Sequence, residues 1–114
     1  VFLVGNNEEW PENRVEQGDI ALYNEYLAAG VPAEQVCYVK DKKCTKKNCQ
    51  QQLEVFLETT RPKTTLVFYY GGHGQPNGLN TRKARWNFAD ITSTIEANFQ
   101  GERVLFLLDC CASG

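Results

Sequence analysis

Leu66-Val67-Phe68-Tyr69-Tyr70-Gly71-Gly72-His73-Gly74 carries five apolar residues into three glycines and the only histidine of the chain. A continuous run of β-branched, aromatic and leucine side chains suits a strand covered on both faces, as in a parallel sheet. The glycines that follow let the backbone turn sharply or approach a ligand closely. A second stretch repeats this plan. Val104-Leu105-Phe106-Leu107-Leu108 leads into Asp109-Cys110-Cys111-Ala112-Ser113-Gly114. Ligands and reacting groups collect at the carboxyl ends of parallel strands. The two runs therefore bring an imidazole and a thiol to corresponding places, and both are expected inside the sheet rather than at its edge.

Working outward, four strands are predicted at Val1–Val4, Gln35–Val39, Thr64–Tyr70 and Arg103–Leu108. Helix-length segments separate them. Gly18–Ala29 sets Ile20, Leu22, Tyr23, Tyr26 and Leu27 at helical spacing, with Gly30 as a C-terminal stop. Thr45–Thr59 places Leu53, Phe56 and Leu57 on one face, with Thr45 or Asn48 as N-cap. Ala89–Phe99 carries Ile91, Ile95 and Phe99. Strand alternating with helix predicts one domain over 1–114, an α/β three-layer αβα sandwich around a mostly parallel sheet. Right-handed crossovers then gather all the strand C-termini on one rim. Between His73 and the cysteines stand one loop, one helix and one strand, a single crossover, so their strands are expected to be neighbours.

Composition narrows the function classes. A formal net charge of −2 provides no general basic field, so neither nucleic acid nor an anionic membrane is an expected partner. Apolar runs of about five residues fall far short of the ~20 that a membrane helix needs. Val1-Phe2-Leu3-Val4-Gly5 is too short, and lacks the basic leader, for a signal peptide. Five cysteines, two of them adjacent, do not form a disulfide framework, so free thiols in a reducing, cytoplasmic setting are expected. Cys44 and Cys49 have no second pair or histidine to complete a zinc site, and no metal or other cofactor is expected. Gly5-Asn6-Asn7-Glu8-Glu9 is acidic where a flavodoxin-like domain would cradle phosphate. The basic cluster Lys40, Lys42, Lys43, Lys46 and Lys47 reads as a solvated loop or a proteolytic processing site.

The histidine and cysteine motifs point to nucleophilic catalysis. A cysteine attacks as thiolate and needs a base, a cation or a helix terminus to lower its pKa. On spacing alone either Cys110 or Cys111 could serve. Strand alternation sends their side chains to opposite faces, so only one should reach His73. The Gly74 N–H is a candidate donor to a developing oxyanion.

Tyr69-Tyr70-Gly71-Gly72-His73-Gly74 and Asp109-Cys110-Cys111-Ala112-Ser113-Gly114 resemble the paired motifs of the caspase-like cysteine peptidases. Metacaspases are the nearest match, and caspases and legumains are more distant. Their motifs read tyrosine-serine-glycine-histidine-glycine and aspartate-x-cysteine-x-serine-glycine. The order of elements over the whole chain is also similar to the caspase large subunit. The resemblance implies an endopeptidase with Cys111 as nucleophile and His73 as general acid/base. It makes the N–H groups of Gly74 and Cys111 the oxyanion hole. Asp109 and Asp19 become acidic contributors to a pocket for arginine or lysine before the scissile bond. The implied partners are a protein or peptide substrate and the small-subunit portion of the same precursor, without which the last strand has an unpaired edge.

This chain departs from the pattern in places. Gly71 stands where metacaspases carry serine, and Ala112 replaces a common histidine or glutamate. Between His73 and the cysteine motif the acidic residues are Asp90, Glu96 and Glu102, too few for the calcium site of some metacaspases. Asn13…Gln17…Asp19 resembles a legumain stretch whose asparagine orients the histidine, although Asn13 reads more simply as a loop residue. The alternative function is a non-catalytic caspase-like pseudoprotease or scaffold module, which would need neither His73 nor Cys111.

Overall fold

A computed structural model describes residues 1–5, 18–40, 43–72, 74–75, 77–81 and 84–109, with residues 18, 19, 74, 75 and 109 described by their backbone. Four strands, β1 (Phe2–Gly5), β2 (Cys37–Lys40), β3 (Thr65–Gly71) and β7 (Arg103–Asp109), form a sheet in the order β2-β1-β3-β7. All three pairings are parallel. Three helices, α1 (Gly18–Ala28), α2 (Lys46–Glu58) and α3 (Phe88–Asn98), lie within a residue of the expected spans. A small α/β domain with a mostly parallel central sheet results.

The pleat decides which side chains meet which helices. Phe2, Val4, Val39, Leu66, Phe68 and Tyr70 share one face, where they form the core with Cys49, Leu53 and Leu57 of α2 and Ile91 and Ile95 of α3. The Phe2 and Phe68 rings stack with centroids 5.5 Å apart. Leu3, Tyr38 and Tyr69 alternate onto the other face, where Tyr23 of α1 meets Tyr38 at 5.1 Å. Thus α1 covers one face, while α2 and α3 cover the other. The Thr45 side chain caps α2 by accepting a hydrogen bond from the Asn48 N–H at 3.1 Å, which decides between the two expected caps.

Two features differ from the expectations. First, residues 74–87 are not a plain loop: β4 (Gly74–Gln75), β5 (Gly78–Thr81) and β6 (Ala84–Asn87) form an antiparallel three-stranded sheet. Leu79 and Trp86 pair across it and are fully buried in the main core. Second, β7 is not covered on both faces. It lies at the end of the strand order among the described residues, with Val104 36%, Leu105 49% and Phe106 39% exposed. The helices pack mainly over β1, β2, β3 and the small sheet, so the apolar run of β7 extends past their cover. Among the described residues no helix is long and apolar enough to cross a membrane.

Candidate functional site

The rim formed by the strand C-termini is continuous and in register. Lys40 pairs with Gly5, Gly5 with Gly71, and Gly71 with Asp109, so the last residues of β2, β1, β3 and β7 form one row. From β1 the chain moves outward to β2, and from β3 it moves the opposite way to β7. The β1/β3 boundary is therefore the topological switch point, where crossovers on opposite faces leave a crevice. Gly71 and Asp109 stand at that rim, each two residues before a proposed catalytic residue in the sequence. His73, Cys110 and Cys111 themselves lie outside the described residues, as does Asn13. Asp19 is in the first turn of α1, and Gly74 opens β4.

The backbone leaving β3 is specialised for this position. Gly72 has φ 151°, a conformation that L side chains rarely adopt. At Gly71 an added Cβ would come to 3.0 Å from the Tyr69 hydroxyl oxygen. Tyr69, 6% exposed, thus fills the space beside Gly71.

The small sheet is tied to the core on the other side of the rim. The Tyr70 hydroxyl donates to the Asn80 carbonyl at 2.7 Å. The Trp86 indole N–H donates to Gln50 Oε1 of α2 at 2.8 Å, and Gln50 Nε2 donates to Thr94 Oγ1 of α3 at 2.5 Å. The Phe68 and Trp86 rings are 5.8 Å apart. Buried indole and phenol groups need partners, and here their hydrogen bonds hold β6 against α2 and β5 against β3. Sequence reasoning missed Gln50, Tyr70 and Trp86 in this role. A tryptophan in an otherwise polar stretch was the available signal.

The remaining thiols are of a different kind. Cys44 and Cys49 are fully buried. Cys44 Sγ lies 3.3 Å from the carbonyl oxygens of both Gly5 and Val39, placed to donate to either. Burial pushes the Cys37 thiol above its ordinary pKa, an effect that the nearby terminal amine opposes and Cys49 reinforces. None of these three is suited to act as a thiolate nucleophile. Among the described residues no group of three or more His, Cys, Asp or Glu could hold a metal ion.

Comparison with protein-family models, with curated proteins and with solved structures finds no match. The functional reading therefore depends on the two motifs and on the sheet that carries their strands. That sheet sets the strand preceding His73 beside the strand preceding Cys111, over seven paired positions from Thr65↔Arg103 to Gly71↔Asp109. The ends of these two strands, Gly71 and Asp109, thus lie side by side on one rim.

Proposed function

We propose that this chain is the large-subunit portion of a caspase-like cysteine endopeptidase, cleaving after arginine or lysine. The observation that carries the reading is the in-register pair Gly71↔Asp109, which ends adjacent parallel strands two residues before His73 and Cys111. In the proposed reaction the Cys111 thiolate attacks the scissile carbonyl carbon. The oxyanion so formed accepts hydrogen bonds from the Gly74 and Cys111 N–H groups. Collapse breaks the C–N bond, and His73 gives its proton to the departing amine. Water, deprotonated by His73, then hydrolyses the thioester and restores the thiol.

Asp109 and Asp19 would supply the negative charge that selects a guanidinium or ammonium group, since a buried carboxylate without a cation is costly. The uncovered apolar strand β7 supports a further part of the reading. Additional strands, from the small-subunit portion of the same precursor, would pair with its edge and complete the pocket.

The test is turnover of an arginine-containing peptide library by the precursor. Cys111→Ala and His73→Ala should each lower kcat by at least about a thousandfold, whereas Cys110→Ala should cost less than about tenfold. An arginine chloromethylketone should label Cys111. Turnover that survives Cys111→Ala would refute the mechanism, and a preference for aspartate or asparagine would refute the basic-residue pocket.

A further inference from the structure

Lys40 ends the same row of residues that Asp109 ends on the opposite side. It also begins the most basic segment of the chain: positions 40–47 hold five lysines and one aspartate, in a protein of net charge −2. Lys40, Lys43, Lys46 and Lys47 are all exposed. Between them Cys44 is fully buried, its thiol against the Gly5 and Val39 carbonyls at the ends of β1 and β2. The Asn48 side chain donates to the Lys43 carbonyl at 2.8 Å, and Thr45 caps α2. These lysines are displayed on a fixed frame fastened to the rim.

Among the described residues the one ion pair is Lys46 with Asp90 of α3, at 4.0 Å. The Lys40 ammonium lies 5.7 Å from the centre of the Tyr38 ring. The N-terminus of α2 adds its positive dipole end to the same place. Beside β2 a depression lined by Tyr38, Lys43, Asn48 and Gln52 offers further polar groups.

We propose that Lys40, Lys43, Lys46 and Lys47 form an exosite for an acidic stretch of the polypeptide substrate. The proposal rests on the endopeptidase reading and adds to it a substrate class. The β2 end of the rim then carries ammonium groups for acidic residues some way along the substrate from the basic residue at the scissile bond. Two strand spacings of roughly 4.8 Å separate the Gly71 position from Lys40. An extended peptide at ~3.3 Å per residue crosses that distance in about three residues. The acidic residues should therefore start about three residues from the cleaved bond. Single exposed ion pairs are weak, so recognition comes from the summed field of the lysines and must decline with salt.

Two measurements test this, and the first needs no catalysis. A fluorescein-labelled hexaglutamate peptide, with hexaglutamine as control, is titrated into the Cys111→Ala chain and followed by anisotropy. Hexaglutamate should bind more tightly than the control, lose affinity as salt rises, and bind about tenfold more weakly to K43E/K47E. Equal binding by the charge-reversed variant, or tighter binding of a single-stranded oligonucleotide than of hexaglutamate, would overturn the proposal.

The second measurement uses the precursor and arginine substrates that carry three glutamates, or three glutamines, beginning three residues from the scissile bond on either side. On one side the kcat/KM preference for glutamate over glutamine should fall about tenfold in K43E/K47E. A preference that is absent, or unchanged by the charge reversal, would refute the exosite. If no arginine substrate is cleaved at all, the endopeptidase reading fails, and hexaglutamate binding alone still decides whether the lysine segment takes acidic polypeptide.

Discussion

Strands β3 and β7 are alike in sequence and opposite in circumstance. Each has seven residues and an apolar centre, and they pair with each other along their whole length. Phe68 of β3 is fully buried, whereas its partner Phe106 is 39% exposed although the two rings are only 5.5 Å apart. The difference lies in their neighbours. β3 has a strand on each side and helices over both faces; among the described residues, β7 has β3 on one side and little above it. An apolar run specifies the cover a strand requires, but not which part of a protein provides it.

Truncation should separate the two strands most sharply. Phe68→Ala removes a ring packed against Phe2 and Trp86 and should cost about 3–5 kcal/mol of unfolding free energy. Phe106→Ala should cost no more than about 1–2 kcal/mol, because much of its ring already meets solvent. Equal costs in urea denaturation would erase the distinction between core and edge. A subtler change is Leu105→Lys on the more exposed side of β7. It should leave stability within about 0.5 kcal/mol and reduce self-association seen by light scattering, since charged residues protect open sheet edges.

The smallest expected effect concerns pH and the opposite edge strand, β2. Burial raises the Cys37 pKa in the folded protein above its ordinary value of 9.0. The folded state thus holds this proton more tightly than the unfolded chain. The contribution of Cys37 is fully present below the unfolded pKa and is lost as pH rises through the folded one. The urea midpoint should therefore begin to drop above about pH 9, by less in Cys37→Ser than in the parent. An identical decline in both proteins would assign the effect to other groups.

The parallel sheet and its helices were legible because each core strand is an unbroken apolar run and each helix has periodic apolar positions. Thr65–Gly71 and Arg103–Asp109 were found to within a residue. The small sheet escaped notice for physical reasons. β4 has two residues, and β5 and β6 together contribute only Leu79 and Trp86 to the core, leaving too little periodicity to detect. It is also held by hydrogen bonds to groups outside it, from the Trp86 indole to Gln50 and from the Tyr70 hydroxyl to the Asn80 carbonyl, which local pattern cannot signal. Of the candidate site, the alignment of the two strand ends was readable from the crossover rule. The space filled by Tyr69 beside Gly71 was not, because it depends on where one ring comes to rest. The burial of Cys44 was equally hidden, since it lies in a run of lysines that suggests only solvent.

The strand order also governs how the chain can be assembled. β1 sits between β2 and β3, yet both of its partners follow it in the chain, each after an intervening helix. Phe2-Leu3-Val4 must therefore wait, apolar and unpaired, until two later segments arrive on either side. Every pairing in the main sheet closes a long loop, which makes folding slow for a domain of this size. During that interval β1 is one exposed hydrophobic segment, and β7, once made, is another. These segments are natural binding sites for a chaperone, and the same two would meet first if chains aggregated before the sheet had formed.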